Sequence, residues 1–469
     1  MRRKCEWNHI LCEENVSRIT FSLYLCNAKQ YNFGMERLIF NELNNWKNNP
    51  DHKPLVLMGA RQVGKTWAMK HFAKKCFKNF VYISFNDNKE AHNIFEKSYS
   101  KNDLIFDLET LSGEKILKND TLIILDEIQE CERALNSLKF FNENLQEYYV
   151  IAAGSLLGVA VRKKNMSFPV GQVEFLQLNP MSFYEFLCAY GEKNLAEIML
   201  EGRLDKVNTF IERYKSIFKE YLVTGGMPEV VADYTRKRDF ENVQKIQDQI
   251  LNGYRNDFSK YIESFNIAKV QLIFDSIPYQ LSKENKKFSY KLIKSNARAR
   301  EYESALEWLK LCGLIKIVER VSVPKLPLKA YADDNIFKVF FIDCGLLGRM
   351  SGLDPQIVLS GDKIFEEFKG ALAEQFVCQA LSLNYKTKSF YWTNDNSTSE
   401  IDFLTQYKNS IIPIEVKSGE SVHSKSFFNF CEKFNIEKKV RYSLRNAEVR
   451  DGLYNLPLFC AEFFESMLG

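Results

Sequence analysis

The chain has 469 residues, of which 45% are hydrophobic and 26% charged, an ordinary globular composition with room for about two to four domains with full cores. A formal net charge of +4 is too mild for the molecule's overall field to hold nucleic acid, so any such affinity must come from a local patch. The eleven cysteines are odd in number, scattered and without a C-x-x-C pair, and the five histidines are dispersed, which fits reduced thiols in a cytoplasmic protein better than a disulfide framework or a zinc site.

Residues 1–34 match no element of the remaining chain and read as an N-terminal extension. Their basic start is interrupted by Glu13 and Glu14 and lacks a small-residue cleavage site, so it is not read as a signal peptide. No apolar run reaches the ~20 residues that cross a bilayer, and no internal repeat marks a solenoid. A helical pattern, MERLIFNELNNWKNN, begins at Met35. Between about 54 and 180, the apolar runs PLVLMG, NFVYISF, DTLIILDE, YYVIAAG and QVEFLQL alternate with helical patterns, which predicts a parallel sheet with covering helices. Amphipathic helical patterns dominate 181–265, broken at GGMP (Gly225 to Pro228). Short helices and a β-like run, LIKIVERVSV, fill 266–345. The last region, 346–469, opens with the helix FEEFKGALAEQFVCQALSL and continues with strands FYWT, EIDFLTQ and IIPIEVK.

Residues 59–66, GARQVGKT, match G-x-x-x-x-G-K-[ST] between a strand and a helix. Gly59 and Gly64 let the backbone of Ala60, Arg61, Gln62 and Val63 curl so that its N–H groups face phosphate oxygens, and the following helix adds the positive end of its dipole. Lys65 would reach the β- and γ-phosphates of ATP, and Thr66 would ligate Mg2+. Downstream, TLIILDEIQ ends an apolar strand with two acids. Asp126 is expected in the magnesium shell, and Glu127 as the base that polarises the attacking water. Ser155, at the end of VIAAGSLLG, is placed either to sense the γ-phosphate or simply to make a Gly–Ser turn. Arg162 reads better as part of a solvated basic loop than as a phosphate ligand.

These motifs resemble a family of bacterial and archaeal AAA-type ATPases whose C-terminal domain has a restriction-endonuclease-like core. The resemblance runs in register over roughly 35–420 through GARQVGKT, LDEIQ, AAGSLLG, SFPVGQVEFL, NPMSFYEFL, GGMPEVV, FFIDCGLL and IPIEVKSG. Gln172 departs from it, since relatives more often carry a basic residue there. The resemblance implies an α/β architecture with an ATPase core and a restriction-endonuclease-like domain. With the residue patterns it gives a P-loop ATPase core over 35–180, a helical lid over 181–265, a winged helix-turn-helix over 266–345, read from its helix–turn–helix–strand order, and the nuclease-like domain over 346–469.

The segment from Lys283 to Val321 reads as helix, polar turn, longer helix from about Arg298 to Cys312, then strand or wing. Lys283, Lys286, Lys287, Lys291, Lys294, Arg298 and Arg300 are expected either to neutralise DNA phosphates or to be solvated on a lid subdomain. In the C-terminal region, a two-residue turn at Lys408–Asn409 would set Asp402 opposite Glu415, with Lys417 on the same face. A magnesium ion would relieve two carboxylates so placed. This D…E-x-K arrangement resembles the metal site of restriction-endonuclease-like nucleases, with Glu374 as the extra acid some of them carry. The plainer alternative is an edge hairpin whose charges pair in solvent.

The favoured function is an ATPase switch whose nucleotide state positions winged-helix and nuclease-like modules on DNA. The alternatives are an ATP-regulated, metal-dependent nuclease acting through Asp402, Glu415 and Lys417, and an ATP-bound scaffold for a protein partner, with oligomerisation open in each case and no membrane involved.

Overall fold

A computed structural model describes residues 36–96, 100–155, 157–160, 169, 171–262, 264–283, 285–360, 366–383, 388–394, 399–419 and 424–468. The N-terminal extension, Arg162 and most of SFPVG lie outside the described residues. The chain divides into two compact units, one made of Met1–Leu57, Lys65–Gly154 and Ser167–Leu176, the other of Met58–Gly64, Ser155–Met166 and Gln177–Gly469.

The first unit is built on a five-stranded sheet of β1 (Leu55–Met58), β2 (Asn79–Ser84), β3 (Thr121–Asp126), β4 (Tyr149–Ala153) and β5 (Glu174–Gln177), in the order β2-β3-β4-β1-β5. These are the five apolar runs of the sequence. The β2–β3, β3–β4 and β4–β1 pairings are parallel, and β3 is buried along its whole length. Continuous burial on both faces is what a covered parallel strand requires and why TLIILD has no alternating pattern. Helices Lys65–Cys76, Lys101–Ser112 and Glu132–Asn144 accompany these strands. A capping box at Ser100 and Asp103 starts the second of them, and Gly113 ends it in a left-handed conformation.

The second unit begins its main run with helices, including Phe183–Tyr190, Ile211–Thr224, Pro228–Lys237, Phe240–Tyr261 and Ser264–Leu281. GGMP falls between the second and third of these, where Pro228 opens the next helix. A buried polar knot joins motifs far apart in sequence. Asp343 accepts hydrogen bonds from the backbone N–H groups of Gly226 (2.6 Å) and Leu346 (2.9 Å). A β-carbon on Gly225 would fall 2.1 Å from an Asp343 oxygen, so only glycine fits there. Gln379 completes the knot, donating to the Tyr221 hydroxyl and accepting from Cys344 N–H.

An eight-stranded mixed sheet comes next, ordered β12-β13-β11-β10-β9-β8-β6-β7. Its strands are β6 (Ile315–Val321), β7 (Ala332–Phe341), β8 (Phe390–Thr393), β9 (Glu400–Tyr407), β10 (Ser410–Val416), β11 (Lys439–Ser443), β12 (Glu448–Arg450) and β13 (Leu453–Pro457). The boundary expected at 345/346 is no break in this sheet, because β6 pairs in parallel with β8 as well as antiparallel with β7. A parallel pairing across ~70 residues leaves no local trace in sequence. The expected first helix of the basic segment is reduced to a 3-10 turn, Tyr290–Leu292. The Gln280 side chain accepts from Ser289 N–H and donates to its C=O, holding that residue extended and satisfying its backbone without a helix. The longer helix forms over Ala299–Leu311, close to its expected span.

Candidate functional sites

At the C-terminal end of β3, Asp126 is 3% exposed, and its Oδ2 accepts from the Thr66 hydroxyl at 2.6 Å and the Tyr82 hydroxyl at 3.1 Å. Sixty residues of chain separate Thr66 from Asp126, yet the sheet brings the two expected magnesium ligands into contact. Burial, with the Asp126 charge beside it, pushes the Tyr82 phenol up to about 12, so Tyr82 remains a hydrogen-bond donor to that carboxylate. The ammonium of Lys70 lies 3.4 Å from the centre of the Tyr82 ring. Sequence reading missed Tyr82, whose only signal is its place two residues before the end of β2. Glu127 comes next with φ 52, a left-handed backbone uncommon for a residue with a β-carbon, and its carboxylate accepts from Gln129 Nε2 at 2.7 Å.

The loop Gly59–Gly64 has the irregular backbone its glycines allow, with φ 154 at Gly59, 67 at Gln62 and 92 at Gly64. A β-carbon at Gly59 would sit 2.4 Å from the Leu178 carbonyl oxygen. Ala60 and Val63 are buried, and Lys65 opens the next helix at 7% exposure. Arg61 is tied to the helix Phe240–Tyr261 twice: its guanidinium pairs with Asp257, and its carbonyl accepts from the Tyr254 hydroxyl at 3.0 Å. Ser155 lines a small cavity with Arg61, Tyr254, Asp257 and Trp308. Gln172 accepts from the Asn142 side-chain amide.

The hairpin β9–β10 has the register expected from its turn, with Tyr407 opposite Ser410 and Phe403 opposite Ile414. Continuing that register sets Asp402 across from Glu415, and Asp402 Oδ2 accepts from Val416 N–H at 2.7 Å. Glu415, 4% exposed, accepts from the Ser424 hydroxyl at 2.8 Å and pairs with Lys417 at 2.6 Å. Glu374, on the helix Glu366–Leu381, pairs with Lys286 and, at 3.4 Å, with Lys338. Lys338, fully buried on β7, also pairs with Glu400.

These contacts bear on two expectations. Among the described residues, no group of three or more His, Cys, Asp or Glu side chains is arranged to hold a metal ion. Two of the three acids expected as ligands in the C-terminal region, Glu374 and Glu415, meet lysines instead, while Asp402 accepts from Val416 N–H. Lys286, expected to face DNA phosphates or solvent, is turned inward onto Glu374. The remaining cations of that segment, Lys283, Lys287, Lys291, Lys294, Arg298 and Arg300, are exposed.

Burial opposes charge on Glu374, but Lys286 and Lys338 hold its carboxyl below the usual range. Burial likewise opposes charge on Lys338, which Glu374, Glu400 and Asp402 hold well above the usual lysine range. Asp402 has no such cation of its own. Burial and the charges of Glu374 and Glu415 push its carboxyl well above the carboxylate range.

Residues 51–187 match the AAA domain family, residues 215–357 a domain of unknown function (DUF8612) and residues 369–460 another (DUF4143). No curated protein matches the chain. Among solved structures, the chain is similar to the Walker-type ATPase of Pyrococcus abyssi (15% identity, 66% of this chain and 94% of that one, TM-score 0.41). It is also similar to the Aeropyrum pernix ORC2 protein in its ADPNP–ADP complexes (11% identity, 71% and 96%, TM-score 0.33). A third likeness is to the Thermotoga maritima RuvB Holliday junction branch migration motor (12% identity, 61% and 89%, TM-score 0.26). The family match and the parallel sheet with its phosphate loop support an AAA-type ATPase domain over residues 51–187. No helix among the described residues is long and apolar enough to cross a membrane, and the eight cysteines among them are free thiols.

Proposed function

We propose that the protein binds and hydrolyses ATP with Mg2+ and uses its nucleotide state to position a basic winged-helix module and a C-terminal nuclease-like module on DNA. The observation that carries the ATPase part is the Thr66–Asp126 contact at 2.6 Å, two hard oxygen donors meeting at the strand end of a parallel sheet. The residues fit a magnesium ion: Thr66 and Asp126 would hold it, and it would neutralise charge on the phosphates. The loop Gly59–Gly64 and Lys65 bind the phosphates. Glu127 orients and deprotonates the attacking water, and Ser155 senses the γ-phosphate. Arg61 supports the coupling, because a loop residue bound to the helix Phe240–Tyr261 gives a change at the phosphates a physical route onward.

Exposed Lys287, Lys291, Lys294, Arg298 and Arg300, before and at the start of the helix Ala299–Leu311, supply the DNA-facing charge. The antiparallel β6–β7 pair after that helix supports its reading as a wing. The helix Glu366–Leu381 and the β9–β10 hairpin support the nuclease-like reading of the C-terminal module. Glu374, Asp402 and Glu415 do not fit a second metal while lysines engage two of them, so the module grips rather than cuts. Incubating the protein with plasmid and short duplexes, with and without ATP and Mg2+ or Mn2+, tests this. Salt-sensitive binding that responds to nucleotide, without strand breaks, is expected. Metal-dependent breaks abolished by Asp402→Ala would establish the nuclease, and neither binding nor breaks would leave the scaffold for a protein partner.

A further inference from the structure

The β9–β10 register continues across the sheet as one polar row. Glu415 on β10 is in register with Arg441 on β11, Arg441 with Asn455 on β13, and Asn455 with Glu448 on β12. Neighbours in such a row project from the same face. The row passes from exposed Glu448 to Arg441, which is only 4% exposed.

Arg441 is held on one side only. Its Nη1 donates to Asn455 Oδ1 at 3.3 Å, and its guanidinium carbon lies 5.1 Å from the centre of the Phe428 ring. Its Nε and Nη2 are both buried and without a hydrogen-bond partner. These two atoms form the side edge of the guanidinium, whose parallel N–H groups match two oxygens of a carboxylate or phosphate. Elsewhere in this protein the same edge is used in that way: Arg349 donates from Nε and Nη2 to the two oxygens of Asp248 at 2.7 and 2.6 Å. Among the described residues, Arg441 is the one arginine with both atoms of this edge buried and unsatisfied. Leaving a charged two-donor edge buried without a protein partner is costly, and such a group is ordinarily satisfied by ordered water or a bound anion. The neighbouring acid does not fill it, since Glu415 already accepts from Ser424 and pairs with Lys417. The Arg441 guanidinium is therefore left without a carboxylate partner of its own.

We propose that Arg441 is the anchor of an oxyanion site that takes a phosphoryl group, two of whose oxygens accept from Nε–H and Nη2–H, with Lys417 at the rim of the same face. Lys417 suits the rim because its side chain is 31% exposed. The oxyanion chemistry stands apart from the ATPase reading; that the phosphoryl group belongs to a DNA strand rests on the proposed DNA contact.

The test uses the full chain carrying Lys65→Ala, which removes the phosphate loop's main anion contact, and probes it with inorganic phosphate. A saturable rise in melting temperature is expected, together with its loss when Arg441→Gln is added. In crystals soaked with selenate, density is expected against the Arg441 side edge. Arg441→Met in the otherwise unaltered protein reports on structure. With no ligand present it should melt at the same temperature or higher, because it removes a buried charge with unfilled donors. A clear fall in melting temperature would make Arg441 structural and overturn the site, as would a phosphate response that survives Arg441→Gln. The source is separated by short duplexes. If the group belongs to DNA, Arg441→Gln weakens duplex binding about 5- to 10-fold and lowers the log–log salt slope by about one. Unchanged duplex binding with a lost phosphate response would keep the oxyanion site, assign it to a free phosphorylated molecule and remove the DNA reading of this module.

Discussion

The end of β3 and the row across β9, β10 and β11 both gather acids, but they balance the charge differently. At β3, Asp126 is met by the hydroxyls of Thr66 and Tyr82, neutral donors that orient a carboxylate without cancelling it. Around the eight-stranded sheet, Glu374 on the helix Glu366–Leu381 meets Lys286 and Lys338, Glu400 meets Lys338, and Glu415 meets Lys417. A carboxylate ringed by neutral donors keeps its charge for a divalent cation, whereas one paired with ammonium groups has already spent it. On the proposed reading, magnesium is expected at Thr66 and Asp126, and the C-terminal row grips rather than cuts.

The comparison can be broken most sharply at the phosphate loop. Lys65→Ala should reduce binding of a fluorescent ATP analogue by at least ~100-fold, since it deletes a charge-assisted hydrogen bond to the β- and γ-phosphates. Near-normal affinity would rule the loop out as the phosphate site.

The next largest effect is expected at Lys338. Lys338→Met leaves Glu374 and Glu400 short of a buried cation and should destabilise the protein by about 3–5 kcal/mol in chemical denaturation. Adding Glu374→Gln should recover part of that loss. A neutral single substitution would show that the acids are not balanced by lysine at all, which would reopen the metal reading.

A pH titration sharpens the contrast between buried acids with and without a cation. Asp343 has none in the polar knot, and burial raises its carboxyl to about 6 against the partial relief of backbone N–H donors. The folded state then holds a proton that the unfolded state releases, so stability is full below about pH 4 and falls as pH rises to about 6. The loss amounts to about 3 kcal/mol. Asp343→Asn should flatten that slope; an unchanged profile would put the ionisation elsewhere.

The smallest effects belong to the exposed basic segment. Neutralising Lys287, Lys291, Lys294 and Arg298 together should lower the salt slope of DNA binding by about one for each phosphate no longer neutralised. An unaltered slope would make these side chains a solvated face, as on a lid.

What could be read from the sequence depends on the range of the interactions. The five core strands, the phosphate loop and the β9–β10 register depend on residues close together in the chain or on continuous apolar runs, and each is visible as a short pattern. The partners of Glu374 are not, because Lys286 and Lys338 lie 88 and 36 residues away and lysines in a polar stretch look solvated. For the same reason sequence alone leaves Lys286 facing DNA or solvent, and it sets a boundary between β7 and β8 although β6 pairs with both. Tyr82 and Arg441 are also invisible at that level, since neither belongs to a motif. Their roles arise when the sheets place one beside Asp126 and the other in register with Glu415.

The most direct test of the central claim is steady-state ATP hydrolysis with Mg2+ by the unaltered protein and by Glu127→Gln, with nucleotide affinity measured on the same samples. Measurable turnover is predicted in the first. In the second, turnover should be at least ~100-fold slower at unchanged affinity, because the base is lost while Lys65, Thr66 and Asp126 remain. Equal turnover in both proteins, or no Mg2+-dependent turnover in either, would contradict the claim.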